Sequence, residues 1–294
     1  MDLLVGQLFT GLSTGSILLL AALGLSLTYG QMGVINMAHG EFIMAGCYTA
    51  YVTQQVVGDA GASLLIALPA GFLVGGAMGL VLEALLIRHL YHRPLDTLLV
   101  TFGVGLVLQQ AARDLFGAPA KNVTVPEALR GGVDLLGTTV PKTRLFILAL
   151  AVLAVTAVAL VMRFTPAGRR IRAVVGNRDL AETVGISSRS VDAGTFFIGS
   201  GLAGVAGVAL TLIGSTSPTT GQSYLVDAFL VVVAGGMGRI KGAVIAAVAL
   251  GTFQAVFETY STASLAKVGV FVVIVIFLQL RPQGLFTLRT RSLA

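Results

Sequence analysis

Asn36, His39 and Glu41 lie close together in the stretch GVINMAHGEF, residues 33–42. An amide, an imidazole and a carboxylate can together donate and accept hydrogen bonds. Gly33 and Gly40 flank them, with the apolar runs SILLLAALGLSLTYG before and IMAGCYTAYV after. An ionisable group near the centre of a bilayer costs about 2.5–3.5 kcal/mol on insertion scales. Two placements meet that cost. In one, the stretch is a short cytoplasmic turn and Asn36 caps the next helix. In the other it breaks a helix, and its ends and polar side chains line a water-filled path. Non-helical backbone at membrane depth is tolerated only beside protein or a cavity. A second short, glycine-broken run, GQSYLVDAFLVVVAGGMG at 221–238, carries Gln222, Ser223 and a single acidic residue, Asp227. Paired interrupted segments in two halves of a transporter point to such a path.

Other chemistry-like patterns fail on context. GLSTG at 11–15 matches the hydrolase nucleophile pattern but lies inside an apolar run, without the strand-to-helix turn that chemistry needs. GSGLAG at 199–204 matches a dinucleotide fingerprint with no strand before it, and reads as helix packing. No G-x-x-x-x-G-K-[ST] stretch occurs, so this sequence has no P-loop. His89 and His92 sit beside Arg88 and Arg93 with no third ligand in view, which argues against a metal site. NVT at 122–124 is a glycosylation sequon by pattern only.

The elements that must position these residues are membrane helices. The chain has 55% apolar and 11% charged residues, mean hydropathy +0.91 and no Trp. Soluble chains carry about 25% charged residues. The 37 glycines agree, since Gly is commoner in membrane helices than in soluble ones. The net charge of +6 does not point to nucleic acid, because the basic residues lie in gaps between apolar runs. Cys47, the single cysteine, lies in an apolar run and reads as a small buried residue. The N-terminus lacks the positive segment of a signal peptide and reads as the start of the first span.

A span needs about 20 mainly apolar residues. The candidates are 4–29, 42–57, 63–87, 95–116, 144–162, 193–213, 223–237, 242–257 and 264–280. The fold class is therefore all-α: a polytopic bundle of about nine transmembrane helices (eight to ten), with broken or short helices near 30–42 and 223–241. With the N-terminus outside, 13 of the 19 Lys and Arg residues are cytoplasmic, which the positive-inside rule favours. The C-terminus is then cytoplasmic. Residues 117–143 form an external loop that Pro, Gly and Thr make irregular. Residues 163–192 form an internal loop with helix punctuation. Thr165 precedes Pro166 as an N-cap, Asp179 and Glu182 have capping-box spacing, and Gly185 fits a C-terminal stop. Two short helices across the cytoplasmic face are expected. Gly71, Gly75 and Gly79, and Gly11 with Gly15, are spaced for close helix packing.

Four stretches carry a resemblance to a known family. ALGLSLTYGQMGVINMAHGEFIMAGCY resembles the N-terminal signature of permeases of branched-chain amino acid type ATP-binding cassette importers. RRIRAVVGNRDLAETVGI resembles their cytoplasmic loop, and DAFLVVVAGGMGRIKGAVIAAVALG and RPQGLF resemble their C-terminal half. Within that family GVINMAHGEF, RPLDTLLVTFGVGLVLQQ, DAFLVVVAGGMG and SLAKVGVFVVIVIFLQLRPQGLF look most like urea-type members. QAVFETYSTASLAK at 254–267 departs from the urea-type pattern.

The resemblance implies a single permease domain over 1–294 in the bacterial inner membrane. It implies a second, related permease, two cytoplasmic ATPase subunits that bind ATP and Mg, and an external solute-binding protein. The chain itself would be no enzyme and bind no cofactor. Ala181, Glu182 and Gly185 stand where such permeases keep a short acidic-and-small motif that contacts the ATPase. Arg169, Arg170, Arg172, Asn177 and Asp179 surround it. Arginines there can pair with carboxylates of a partner, or serve topology alone. For urea, Asn36, Gln109, Gln110 and Gln222 offer donors and acceptors, while Glu41 and Asp227 offer acceptors. Buried polar groups on a solute need such partners. A zwitterionic amino acid would also want a fixed cation, and among Lys and Arg only Lys267 lies deep in a membrane segment. Urea is thus the expected cargo, with branched-chain or other amino acids as the alternative. A passive solute channel or a membrane scaffold is the rival from another class.

Overall fold

Apolar runs without charge have one way to satisfy their backbone in lipid, and this chain takes it by forming helices. The computed structural model describes residues 2–91, 93–135, 138–236 and 238–286. The helices are α1 (Asp2–Met32), α2 (His39–Val57), α3 (Ala60–Leu85), α4 (Pro94–Phe116), α5 (Lys142–Phe164), α6 (Pro166–Gly176), α7 (Arg178–Thr183), α8 (Ser188–Leu210), α9 (Thr220–Gly235), α10 (Ile240–Tyr260) and α11 (Ala263–Leu280). All but α6 and α7 coincide with the nine apolar runs. Six are long and apolar enough to cross a bilayer, and α9 and most of α11 are apolar but shorter. The protein is a polytopic all-α membrane bundle.

Contacts at the two ends fix the up-and-down course of the chain. At one end Gln7 reaches Thr259, Gln54 donates to the Thr124 carbonyl, and Lys121 and Thr216 exchange backbone hydrogen bonds. At the other end Gln31 meets Asp192 and Gly30 packs on Gly238. The first end carries the start of α1 and the 117–141 segment. The second carries α6, α7 and the α9–α10 turn. The basic residues are concentrated at the second end, the pattern that the positive-inside rule associates with the cytoplasmic side.

α8 is the central helix and packs along α1, α2 and α3. Its glycines make this possible. A Cβ on Gly204 would sit 2.0 Å from the Gly71 carbonyl oxygen, and one on Gly46 would sit 2.0 Å from that of Gly204. One on Gly24 would sit 2.0 Å from the Gly199 oxygen. Lipid gives no apolar drive for association, so backbone contact supplies dispersion instead. The spacings at Gly71, Gly75 and Gly79, at Gly11 and Gly15, and within GSGLAG are thus all packing seams, the second against α10.

Three boundaries differ from the sequence expectation. The external loop is not wholly irregular: β1 (Gly132–Leu135) pairs antiparallel with β2 (Thr138–Pro141), and Glu127–Leu129 form a 3-10 turn. The β-branched residues Val133, Thr138, Thr139 and Val140 suit a strand. The connecting Leu136 and Gly137 lie outside the described residues. The internal loop ends at 187 rather than 192, because Ser187 caps α8 by accepting from the Ser190 amide. The cap of α7 is Asn177, whose Oδ1 accepts from the Leu180 amide at 2.9 Å; Asp179 lies inside the first turn instead. Asn at the position before the helix needs no Glu partner to satisfy that donor.

Candidate functional site

The chain leaves α1 at Met32 and turns at Gly33, whose φ of 64° is the left-handed region that favours glycine. Residues 33–38 then run back into the bundle. His39 shows how far: its Nε2 is 3.1 Å from the carbonyl oxygen of Ala21. A carbonyl only accepts, so Nε2 carries the proton in that bond. Ala21 is eleven residues before the end of α1, about 16 Å at ~1.5 Å per residue. That is about half of a ~30 Å hydrocarbon core. The stretch is a re-entrant break, not a cytoplasmic turn.

Side chains satisfy the broken backbone. Asn36 Oδ1 accepts from the Ala38 amide at 2.9 Å, and the Asn36 carbonyl accepts from the His39 amide at 3.3 Å. The Met37 amide donates to Thr101 Oγ1 on α4 at 3.0 Å. Asn36, His39 and Glu41 are all buried. Gly40 packs against Gly221 at the start of α9, which brings the two interrupted runs together.

Glu41 is the chemical centre of the break. Its Oε1 accepts from Gln109 Nε2 at 2.8 Å, and the same nitrogen reaches Gln222 Oε1 at 3.4 Å. Three helices, α2, α4 and α9, therefore meet in one polar cluster. Glu41 Oε2 is buried and has no hydrogen-bond partner among the described residues. A buried acceptor left unmade costs about 1–3 kcal/mol, and more when charged. Gly105, one turn before Gln109, faces this carboxylate, and a Cβ there would lie 3.7 Å from Glu41 Cγ. Gln222 is exposed, so the cluster opens beyond the buried carboxylate.

Other expected path residues lie apart from the cluster. Gln110 faces outward and donates to Asp114 one turn on. Asp227 pairs with Lys267 of α11 at 3.4 Å. His39 is used up in fastening α2 to α1. Sequence reasoning missed Thr101, the anchor of the break on α4. A threonine in an apolar run gives no signal of its own.

On the cytoplasmic side, Thr165 accepts from the Gly168 amide and starts α6, as expected. α7 ends in a Schellman motif: the Ile186 amide donates to the Ala181 carbonyl and the Gly185 amide to that of Glu182. Gly185 has φ 83°, so the glycine stop is real. Ala181 is buried in a small cluster with Ile171, Val174 and Val191. Glu182 accepts from Ser188 Oγ. Arg169, Arg170, Arg172, Asn177 and Asp179 are exposed. So are Leu180 on α7 and Val184 just past its end, at 62% and 70%.

A second polar network lies beneath α7, and the sequence reading missed it. Arg178 forms an ion pair with Asp192, which is 0% exposed. Gln31 Nε2 donates to the other oxygen of Asp192 at 3.0 Å. The Arg178 guanidinium also lies over the Tyr91 ring, 5.2 Å from its centroid. Tyr91 donates to Glu83 Oε1 at 2.9 Å, and Arg88 stands 3.9 Å from that carboxylate. Burial, reinforced by Asp192 and Glu83, pushes the Tyr91 phenol above its ordinary value, so it remains a donor. The available signal was an acidic residue inside or at the edge of an apolar run, at Glu83 and Asp192. Elsewhere, Cys47 is buried as expected and donates to the Gly207 carbonyl. His89 ends a 3-10 turn, while His92 lies outside the described residues.

Residues 7–280 match the family described as branched-chain amino acid transport system, permease component. The chain belongs to that family. It is 29% identical to the high-affinity branched-chain amino acid transport system permease protein LivH of Salmonella typhimurium, over 95% of this chain and 94% of that one. The permease protein BraD of the same transport type from Pseudomonas aeruginosa is also 29% identical, over 95% and 94%. The ribose import permease protein RbsC of Bacillus subtilis is 36% identical over only 35% of this chain and 34% of its own. No solved structure matches the chain significantly. Family membership makes the chain a permease component of an ATP-binding cassette transporter rather than an enzyme. With its apolar spans, it is a multi-pass protein of the inner membrane.

Proposed function

We propose that the chain is one permease half of an ATP-driven importer, and that its cargo is an amino acid of the branched-chain class. The observation that carries the path is the buried Glu41–Gln109–Gln222 cluster at a re-entrant helix break, with one carboxylate oxygen unpartnered. That oxygen is suited to accept from an ammonium or amino group of a passing solute. The named cargo of LivH and BraD supports the amino acid. A second, related permease would supply the other wall, and an external binding protein would deliver the cargo.

The driving partners would be two cytoplasmic ATPase subunits, which hold the ATP and Mg. α7 is the element suited to meet them. Its exposed Leu180 and the exposed Val184 at its C-terminal end form an apolar ridge flanked by Asp179 and Glu182, which fits a groove on a protein partner. Arg169, Arg170 and Arg172 on α6 add cations that can pair with carboxylates.

Urea is the second reading, and one observation favours it. The groups that meet at the cluster are one carboxylate and two amides, Glu41, Gln109 and Gln222, which suit a neutral solute that both donates and accepts. Uptake of labelled leucine and labelled urea in cells carrying the full complex separates the two. The control is a complex whose ATPase cannot hydrolyse ATP. Leucine uptake that needs hydrolysis and resists excess urea supports the amino acid reading. Hydrolysis-dependent urea uptake that leucine does not compete away replaces it with urea. Entry undiminished in the control makes the protein a passive channel.

A further inference from the structure

We propose that Asp192 is the node through which α7 sets the position of the helix break, an inference that rests on α7 being the ATPase-facing element. Asp192 stands in the second turn of α8 and is fully buried, yet both of its oxygens are taken from opposite sides. One is held by Arg178, the first residue of α7. The other is held by Gln31, the penultimate residue of α1 and two before the Gly33 turn. A single carboxylate thus ties the cytoplasmic helix to the hinge of the break.

Two mechanical routes leave this node. The short one runs through Gln31 and Gly33 along residues 33–38 into the first turn of α2, which carries Glu41. The long one runs along α8. Its backbone meets α1 at Gly24, α3 at Gly71 and α2 at Gly46 and Ile43, with no Cβ between them to yield. From Asp192 to Gly207 is fifteen residues, about 22 Å of helix at ~1.5 Å each. Close-packed elements transmit a rigid displacement rather than absorbing it. Tyr91 completes the seat of Arg178 and connects it to Glu83 on α3. By contrast, α7 itself has little other hold on the bundle, resting chiefly on α6 and the start of α8. Asp192 is therefore a positioning residue: it touches no cargo and acts through α1 and α8.

The test uses the full complex with its ATPases and binding protein in proteoliposomes, measuring labelled leucine uptake and ATP hydrolysis together. Labelled urea is run beside it. Asp192→Asn should assemble and hydrolyse ATP, while cargo moved per ATP falls about tenfold, the scale of one lost charge-assisted hydrogen bond. Arg178→Gln should do the same, and the double variant should lose no more than the worse single one, since both break one pair. Gln31→Met, which keeps length and loses only the amide, should show a smaller fall in the same ratio. An unchanged ratio in Asp192→Asn, or losses that multiply in the double variant, would overturn the proposal. If Asp192→Asn does not assemble, an unchanged ratio in both Arg178→Gln and Gln31→Met overturns it. Leu180→Glu is the control for the underlying reading. Impaired Leu180→Glu beside normal Asp192→Asn removes only the node, whereas normal Leu180→Glu removes the coupling role of α7 itself.

Discussion

Glu41→Gln changes the chemistry of the break while leaving its shape. The native carboxylate accepts from Gln109 at 2.8 Å through one oxygen and leaves the other buried and unpartnered. A glutamine can keep the first bond by turning its carbonyl oxygen to Gln109. Its NH2 group then occupies the place of the free oxygen, so an acceptor becomes a donor. If a cargo ammonium or amino group bonds there in transit, one charge-assisted hydrogen bond is lost, about 1.5–3 kcal/mol. At 1.4 kcal/mol per factor of ten, transport should fall about 10- to 150-fold. The assay is hydrolysis-dependent uptake, with membrane amount and co-purification of the partners measured alongside. Asn36→Leu should also reduce uptake, because it removes the acceptor of the Ala38 amide and loosens the break. Full uptake in both variants would refute the path assignment and leave the cluster a structural fastening.

The remaining predictions probe packing, topology and the cytoplasmic helix. Gly204→Ala puts a Cβ only 2.0 Å from the Gly71 carbonyl oxygen, so α3 and α8 must part. Overpacking of this kind costs about 1–3 kcal/mol, and a melting temperature in detergent no lower than the parent's would contradict the seam. Membrane-impermeant maleimide should label Thr139→Cys in intact cells and Asp179→Cys only after permeabilisation, while buried Cys47 stays silent; the reverse pattern would invert the orientation. Asn177→Ala should loosen α7 by about 0.5–2 kcal/mol and raise protease cleavage within 177–187, whereas Asp179→Asn should not, because Asp179 does not supply the cap.

The helices were legible because lipid leaves the sequence little choice. A run of apolar residues must be helical there, so α3, α4 and α5 follow from composition and length. The packing seams were legible too, since small residues at four-residue spacing have one use in a membrane. What the sequence concealed was depth and extent. SSRSVD reads as loop because it is polar, yet it winds into the first turns of α8, where Ser187 caps the helix and Asp192 is paired from two sides. The hairpin at 132–141 is short enough that turn residues outweigh the β-branched ones in any composition-based reading.

The site divides along the same line. Asn36, His39 and Glu41 drew attention as polar residues crowded between apolar runs, but their roles depend on partners distant in sequence. His39 is fastened by Ala21 and Glu41 by Gln109, 68 positions away, and nothing local distinguishes the two. Gln109 and Gln110 are adjacent and identical in type. Because neighbours on a helix are turned about 100° from each other, one faces the buried carboxylate and the other faces outward to Asp114. Asp227 carried the charge expected of a path residue, and Lys267 neutralises it from α11. The membrane charge that lacks a full set of partners is therefore the informative one. Among the acidic residues of the path expectation only Glu41 meets that description, with one oxygen held and one free, at the point where α2, α4 and α9 converge.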